Sequence, residues 1–273
     1  MSFLNRYKLV NVLAIWCVFV WLSPVLWVTT NSFKPTNVIN SKVPVFLNFK
    51  PTLEHYQVIF ERFHIGDALF NSLIVVSVST LIVMILALPT AYAVARMNML
   101  RGDMWALIIL SLRFLPGVVI VIPYFQVGAF FSLLDSKILL ITVYVGMGLP
   151  FAVWTLRGFM MDIPKEIEEA ARLDGLSWTQ IIFRLILPIT APGVAVTAIF
   201  TFVFSWNEFL FALLLTFDQA QTMPVALQKT IDVYNVLWGA LSAGAVIQLV
   251  PMVIVVFLLQ RHIARGLALG AVK

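Results

Sequence analysis

This chain of 273 residues is 61% hydrophobic and only 11% charged, and its mean hydropathy is +0.98. One soluble domain of this length cannot bury so much apolar surface, so the composition excludes a water-soluble globular protein and predicts an integral membrane protein. The formal net charge of +5 has the sign expected of loops beside anionic lipid headgroups, and we do not interpret it as nucleic-acid binding.

Six apolar runs are long enough to cross a bilayer as helices, which takes about 20 residues each. They cover residues 9–30, 68–95, 105–130, 138–159, 191–217 and 239–260. Basic residues precede the first run, but no small-residue cleavage site follows its apolar core, so we expect a retained helix and not a signal peptide. The predicted fold is therefore an all-α integral membrane protein with six transmembrane helices.

Basic residues in the connections predict the orientation of these helices. With a cytoplasmic N-terminus, the cytoplasmic side receives Arg6, Lys8, Arg96, Arg101, Arg157, Lys165, Arg172, Arg184, Arg261, Arg265 and Lys273. The opposite side then keeps Lys34, Lys42, Lys50, Arg62, Lys137 and Lys229. Because the first set is the larger, we expect both termini to lie in the cytoplasm.

Two connections on the predicted outer side are long, at residues 31–67 and 218–238. Prolines and aromatic residues in the first predict an ordered loop with a short helix near 53–63. The second contains Pro224 and is expected to hold another short helix. Each loop is interpreted either as a surface for an extracytoplasmic partner or as a solvated connection.

Prolines and small residues within the spans predict how the helices bend and pack. The prolines are Pro89, Pro116, Pro123, Pro150 and Pro251. Each removes a helix hydrogen bond, so we expect kinks that leave carbonyl groups for internal partners or cavity water. Ala87, Ala91 and Ala95 repeat every four residues, and such a stripe predicts a close helix crossing.

Two ionisable residues, Arg113 and Glu208, fall within the predicted spans. A charge at membrane depth is costly, which makes each a candidate functional residue. Arg113 lies about nine residues into the third span and Glu208 about eighteen into the fifth, so their backbones differ in depth by roughly 13 Å and no direct salt bridge is expected. We expect Arg113 to snorkel or to bond carbonyl groups near Pro116.

Glu208 lies in a polar segment together with Trp206, Asn207 and Phe209. An indole, an amide and a carboxylate can contact sugar hydroxyls by stacking and hydrogen bonding. The same groups can also form a buried polar cluster that fixes the helices. The residues alone leave both interpretations open.

A charged segment between two apolar runs, residues 157–189, predicts a pair of short helices. Pro164 suits a first helical turn, and the acidic residues after it favour a helix N-terminus. Gly175 is expected to end the first helix in a left-handed conformation. Ser177 and Gln180 predict a capping box at the start of the second helix, which Pro188 is expected to end.

The same segment resembles the EAA loop of bacterial ABC importer permeases. The resemblance rests on Glu169-Ala170-Ala171, then Gly175, then Leu187-Pro188, at the family's spacing. Leu185 stands where the family usually has isoleucine. The resemblance implies that a groove of an ATPase subunit receives this hairpin, through the residues Glu168, Glu169, Ala170, Ala171, Asp174, Gly175, Leu187 and Pro188.

Further segments resemble the second permease subunit of carbohydrate ABC importers of the maltose and glycerol-phosphate type. They are Asn71-Ser72-Leu73, Ala91-Tyr92-Ala93-Val94-Ala95-Arg96, Trp206-Asn207-Glu208-Phe209, Met223-Pro224-Val225 and Gly270-Ala271-Val272-Lys273. The resemblance implies a type I permease fold in a bacterial inner membrane, with residues 206–209 in the substrate pathway. It divides the chain into an N-terminal helix and outer loop (1–66), a permease domain (67–262, with the coupling hairpin at 162–188) and a cytoplasmic tail (263–273).

The partners implied are a homologous second permease, an ATPase dimer, an extracytoplasmic binding protein, a carbohydrate substrate and membrane lipid. The chain has no G-x-x-x-x-G-K-[ST] loop, so we expect no enzyme activity and no bound cofactor, with ATP and Mg on the separate ATPase. No other metal-ligating residues accompany His55, His64 or His262 at a suitable spacing, so no metal site is expected.

Two alternatives remain. A self-contained facilitator or secondary carrier should show internal repeats and a coupling-ion site, neither of which is evident. A membrane scaffold that transports nothing would account for the hairpin but not for the polar residues and prolines within the spans.

Overall fold

The computed structural model describes the backbone of residues 3–96, 102–232 and 236–271 and the side chains of residues 10–96, 102–232 and 236–258. Within these residues the regular structure is helical, apart from an isolated bridge between Ile231 and Val236. The prediction of an all-α protein is therefore confirmed. The orientation prediction draws in part on Arg6, Lys8, Arg101, Arg261, Arg265 and Lys273, whose side chains lie outside the described residues.

The first helices in chain order are α1 (Phe3–Ser32), α2 (Thr36–Ile39), α3 (Glu54–Glu61), α4 (Ile65–Arg96), α5 (Gly102–Ser111), α6 (Gly117–Phe130) and α7 (Lys137–Met161). A 3-10 turn (Leu112–Phe114) follows α5. After these come α8 (Lys165–Leu173), α9 (Trp178–Gln180), a π-helical turn (Ile181–Ile186) and α10 (Leu187–Ile189). The remaining helices are α11 (Ala191–Trp206), α12 (Leu210–Leu215), α13 (Met223–Gln228) and α14 (Trp238–Ala271).

Four single helices are long and apolar enough to cross a membrane: Val10–Ser32, Ile65–Arg96, Lys137–Met161 and Trp238–Leu258. Two more spans arise if each of two bent pairs is counted as one, namely Gly102–Phe114 with Gly117–Phe130, bent by 85°, and Trp178–Ile189 with Ala191–Trp206, bent by 82°. The structure therefore has four to six candidate spans where the sequence predicts six, and the second bent pair covers residues 178–206 where the predicted fifth run covers 191–217.

Two of the predicted spans differ from the observed helices. The third is broken at Leu115 and Pro116, where the backbone is extended (ψ 130° and 129°), because a proline cannot donate the next helical hydrogen bond. The fifth was expected to run to residue 217, but α11 ends at Trp206 with Asn207 as its C-cap. Glu208 lies in the break that follows.

Contacts divide the chain into two compact units, Met1–Gly66 with Ala226–Val250, and Asp67–Val225 with Pro251–Lys273. The first unit takes up residues 226–250, which the sequence assigned to the permease domain. The predicted tail is helical as far as Ala271 because α14 runs through it, and residues 272–273 lie outside the described part.

The first unit contains an ordered connection between α1 and α4, and α3 (Glu54–Glu61) confirms the short helix expected near residues 53–63. The imidazole Nε2 of His55 bonds the Lys34 carbonyl oxygen at 2.7 Å. The Glu54 carboxylate accepts hydrogen bonds from the hydroxyl and N–H of Thr36 at 2.9 and 3.0 Å, which lower the pKa of Glu54. These bonds join both ends of the loop.

The second unit has two apolar cores. One packs α6, α7, α11 and α12 around buried side chains such as Leu140, Trp206 and Phe211. The other packs the end of α4 and of α7 against the π-helical turn, with Leu156 and Ile181 at its centre. Ala87 and Ala91 are fully buried in this second core, while the close crossing expected from the alanine stripe stays a prediction.

Candidate functional site

The charged segment forms the predicted helical hairpin. Helix α8 begins after Pro164 and ends at Leu173, and Gly175 then adopts a φ of +85°, the left-handed conformation that glycine accepts without strain. Ser177 Oγ accepts the N–H of Gln180 at 3.4 Å, and Gln180 Oε1 accepts the N–H of Ser177 at 2.8 Å. The predicted turn and capping box are confirmed.

The end of the second helix was predicted wrongly. The helix continues past Pro188 to Ile189, because the π-helical turn gives way to a new α-helical turn at Leu187. Pro188 lies one residue before the end of this helix, so its missing N–H removes a single hydrogen bond close to the terminus. The break comes two residues later, at Thr190, whose N–H bonds the Ile186 carbonyl at 2.8 Å.

The outward side of the hairpin carries most of the residues predicted to contact an ATPase. Glu169, Ala170, Asp174, Gly175 and Pro188 are exposed, and Ala171 and Leu187 are half-buried. Leu173 is 90% exposed, although an apolar residue next to a membrane segment gives no sequence signal of exposure. The exposed surface is therefore mixed, with acids, small residues and several large apolar side chains, of which Leu173 is the most exposed.

Glu168 differs from the other predicted residues because it points inward and is only 6% exposed. Its Oε1 accepts a hydrogen bond from Arg96 Nε at 2.7 Å, and its Oε2 accepts one from the Tyr92 hydroxyl at 2.8 Å. The Arg96 Nη2 group donates to the carbonyl oxygens of Met160 at 2.7 Å and Ile163 at 2.5 Å. We call these five residues the inner cluster.

A cavity of about 180 Å³ lies in the second unit, lined by Arg113 just before the break between α5 and α6 and by Glu208 in the break between α11 and α12. Its lining residues include Arg113, Tyr144, Phe151, Thr201, Phe204 and Glu208. One cation, one carboxylate, hydroxyl groups and aromatic rings therefore face the same space. Such a mixture of donors, acceptors and apolar faces suits a polyhydroxylated ligand.

Arg113 bonds a backbone carbonyl, as expected, but in a different place. Its Nη1 donates to the Met147 carbonyl oxygen at 3.2 Å, so the partner lies on α7 and not near Pro116. The guanidinium also lies over the rings of Phe204 and Phe151, at 4.7 and 5.5 Å. Among the described side chains no carboxylate forms an ion pair with Arg113, which confirms the absence of a direct bridge to Glu208.

The Glu208 carboxylate closes the break between α11 and α12. Its Oε1 accepts the N–H of Phe211 at 3.0 Å, and its Oε2 accepts the N–H of Ala212 at 3.2 Å and the hydroxyl of Tyr144 at 3.2 Å. The first N–H groups of a helix lack intrahelical acceptors, so the carboxylate serves as a cap. These bonds are those expected of a buried polar cluster that fixes the helices. Because the same carboxylate also lines the cavity, contact with a ligand stays open as well.

The three neighbours of Glu208 in the predicted pathway have different environments. Trp206 is 1% exposed and stacks on Phe202, with the ring centroids 5.6 Å apart, so its indole is not open to the cavity. Asn207 is exposed, and its side-chain amide donates to the Val203 carbonyl at 2.8 Å. Phe209 is half-buried and packs against the first core.

Sequence reasoning missed Asp135, which holds the loop after α12. Its carboxylate accepts the N–H groups of Phe217, Asp218, Gln219 and Ala220 at 3.0 to 3.3 Å. Partial burial raises the pKa of Asp135, but the four hydrogen bonds outweigh it and the pKa is lowered. Asp135 also has a φ of +57°, which no sequence pattern foretold.

Two residues quoted for the resemblance hold the same loop from α4. The Asn71 side-chain amide donates to the carbonyl oxygens of Gln219 and Gln221 at 2.9 and 3.1 Å, and Ser72 Oγ accepts the Met223 N–H at 2.8 Å. The loop is therefore held in one conformation by side-chain hydrogen bonds. Within the described part of the chain, no three His, Cys, Asp or Glu side chains come together as a metal site would require.

Residues 84–269 match the family of binding-protein-dependent transport system inner membrane components. The chain belongs to this family. The match covers the hairpin, the cavity and the segment after α11, and it begins after Asn71 and Ser72. This family member is a multi-pass permease of the inner membrane.

Two relatives extend the similarity to nearly the full length. The diacetylchitobiose uptake system permease protein DasC of Streptomyces coelicolor is 34% identical over 264 residues, covering 96% of this chain and 96% of the relative. The trehalose transport system permease protein SugB of Mycobacterium tuberculosis is 34% identical over 255 residues, covering 92% of each.

Among solved structures, a bacterial ABC transporter that imports the acidic polysaccharide alginate has a similar chain. The TM-score is 0.75, with 20% identity, and the match covers 96% of this chain and 99% of that one. The likeness shows that both chains share a fold. It confirms the predicted ABC importer permease architecture.

Proposed function

We propose that this permease forms half of the translocation pathway of an ATP-driven importer for a sugar, polyol or related carbohydrate. The relatives that transport diacetylchitobiose and trehalose support the carbohydrate class. The single observation that carries the proposal is the hairpin, whose turn at Gly175 (φ +85°) presents exposed acidic and small side chains on a membrane protein.

The partners follow from what this chain lacks and what it displays. No phosphate-binding loop is present in its sequence, so ATP and Mg bind to a separate ATPase dimer that receives the exposed residues of α8. A homologous second permease completes the pathway. The ordered loops on the other side of the membrane receive a substrate-loaded binding protein, and both termini lie in the cytoplasm.

The cavity is the part of the pathway that this chain supplies. Of the four predicted pathway residues Trp206, Asn207, Glu208 and Phe209, only Glu208 lines the cavity. Arg113 lines it as well, and its guanidinium keeps donor groups beyond the one bonded to Met147. The volume of about 180 Å³ is below the roughly 300–1,000 Å³ of sites that enclose a drug-sized ligand. The part of the pathway that this chain supplies would therefore contact only part of an oligosaccharide, and the second permease would contact the rest.

Purification of the tagged chain from its own cells tests the proposal. We expect a stable complex with an ATPase and a second six-helix permease, and uptake by that complex in liposomes only with ATP and a binding protein. Uptake by the chain alone would instead support a facilitator or secondary carrier. A complex that binds an ATPase but transports none of a panel of sugars and polyols would support a scaffold.

A further inference from the structure

Glu168 and Arg96 form an ion pair beneath the coupling helix α8 that solvent hardly reaches. Arg96 Nε and Glu168 Oε1 are 2.7 Å apart, and the two side chains are 6% and 8% exposed. A single-residue change leaves the other charge buried without its partner, which proteins tolerate poorly. The geometry of this pair is therefore strongly constrained.

The inner cluster joins the ends of three helices. Arg96 is the last residue of α4 and Tyr92 lies one turn before it, so both reach α8 from one face. The Arg96 fork also bonds the carbonyl oxygens of Met160, in the last turn of α7, and Ile163, in the connection to α8. One guanidinium thus contacts all three segments at once, a task for which its planar, multiple donors are suited.

Directional contacts matter here because the other inward contacts of the hairpin are apolar. Ala171 and Leu176 pack against the second core, and apolar burial does not specify direction. An apolar interface alone would let α8 rotate or slide on the core. The hydrogen bonds to Glu168 fix the rotation of α8 relative to α4 and α7.

We infer that Glu168 is a positioning residue that transmits movement of α8 to α4 and α7 and does not itself contact the ATPase. The outward Glu169 next to it remains a contact residue, so neighbouring glutamates have different tasks. This inference rests on the proposed function, since it presumes that an ATPase moves α8. It changes the role of one residue that the sequence assigned to the ATPase surface.

The test measures how well ATP binding reaches the cavity without requiring a known substrate. A cysteine replaces the exposed cavity residue Phe204 in a Cys17→Ser background. The complete complex, with second permease and ATPase, is reconstituted in nanodiscs. The rate of N-ethylmaleimide labelling is then compared without nucleotide and after trapping with ATP and vanadate.

In the parent complex we expect trapping to change the labelling rate. In Glu168→Gln the ATPase should remain bound and should still hydrolyse ATP. The ratio of the labelling rate after trapping to the rate without nucleotide should, however, lie at least about fivefold closer to 1 than in the parent. Fivefold is the lower end of typical coupling effects. Asp162→Asn is the matched control, because it makes the same carboxylate-to-amide change at an exposed position just before α8. Its ratio should equal that of the parent.

Two results with Glu168→Gln would overturn the inference. A parent-like ratio would show that the cluster transmits nothing, and loss of the ATPase from an inserted, monodisperse protein would place Glu168 in the docking surface. If Glu168→Gln does not accumulate, Tyr92→Phe decides, because it removes one hydroxyl and keeps the ring: a reduced ratio supports the inference and a parent-like ratio overturns it. A parent complex without an ATPase would contradict the proposed function itself.

Discussion

The hydroxyl of Tyr144 donates a hydrogen bond to Oε2 of Glu208 at 3.2 Å, which ties the middle of α7 to the break between α11 and α12. Two backbone N–H groups, from Phe211 and Ala212, also donate hydrogen bonds to the carboxylate. A charge at membrane depth is tolerated only when it is bonded or hydrated. Glu208 meets this condition while one side of it faces the cavity.

Glu208→Gln should weaken the cap of α12, because an amide offers one acceptor oxygen where the carboxylate offers two. Loss of a helix cap costs about 0.5–2 kcal/mol, so the thermal midpoint of the assembled complex should fall while uptake persists at reduced temperature. Glu61→Gln, at an exposed position, is the matched control and should not shift the midpoint. An unshifted midpoint in Glu208→Gln with altered sugar preference would assign the residue to substrate and not to the cap.

Trp206→Ala should act through packing, since the indole is 1% exposed and stacked on Phe202. Truncating a buried tryptophan costs about 3–5 kcal/mol, so the yield of assembled complex should drop with sugar selectivity unchanged.

Arg113→Met, in the cavity, should instead keep the yield and raise the half-saturation concentration for uptake. Competition between sugars in whole cells, normalised to complex yield, separates these outcomes, and altered selectivity in Trp206→Ala would contradict the packing role.

The sequence predicted those features whose signals are local. The left-handed Gly175, the box between Ser177 and Gln180, and the buried stripe at Ala87 and Ala91 each follow from residue chemistry within a few positions. The burial of Trp206 could not be predicted, because it depends on the packing of α6, α7 and α12 in the first core.

The inward position of Glu168 could not be predicted either, because it depends on residues distant in the sequence. Within α8 it is one of several glutamates, and only the distant Tyr92 and Arg96 distinguish it. Asp135 likewise depends on a loop about 82 to 85 residues further along the chain. Contacts of this range leave no periodic pattern in one sequence.

Gly175→Val should uncouple the complex through backbone strain alone. A Cβ at this position would meet no atom within 4 Å, but the φ of +85° is one that side chains rarely adopt, at a cost of about 1–3 kcal/mol. Uptake driven by the ATPase should fall while the chain still inserts. Assays of uptake and ATP hydrolysis in the same liposomes measure the loss.

Gly158→Val is the control for that variant. Its Cβ would also meet no atom within 4 Å, but Gly158 lies in α7 and has no positive φ, so uptake should stay near the parent value. Gly175→Asn should recover part of the activity, because asparagine tolerates the left-handed region. Full, binding-protein-stimulated uptake in Gly175→Val would show that the turn does not matter for coupling.

The orientation drawn from the basic residues is testable with two cysteines in a Cys17→Ser background. Thr179 in the hairpin and Lys50 in the outer loop are both exposed, so a membrane-impermeant maleimide should reach either thiol from its own side. Thr179→Cys should react only after permeabilisation of spheroplasts, and Lys50→Cys should react in intact ones. The opposite pattern would place the hairpin outside and remove the ATPase from the proposed function.

Asp135 should make the order of the loop after α12 depend on pH. Its pKa is lowered by hydrogen bonds from residues 217–220 despite partial burial, so the stabilisation is present above the ordinary aspartate pKa of about 3.9 and is lost as pH falls through the lowered value. At neutral pH the amides of these residues should exchange with deuterium faster in Asp135→Asn than in the parent, and the difference should vanish as the parent carboxylate becomes protonated. Asp162→Asn, at an exposed site outside the loop, should match the parent at every pH. Equal exchange in Asp135→Asn and parent at neutral pH would mean that Asn71 and Ser72 hold the loop without the carboxylate.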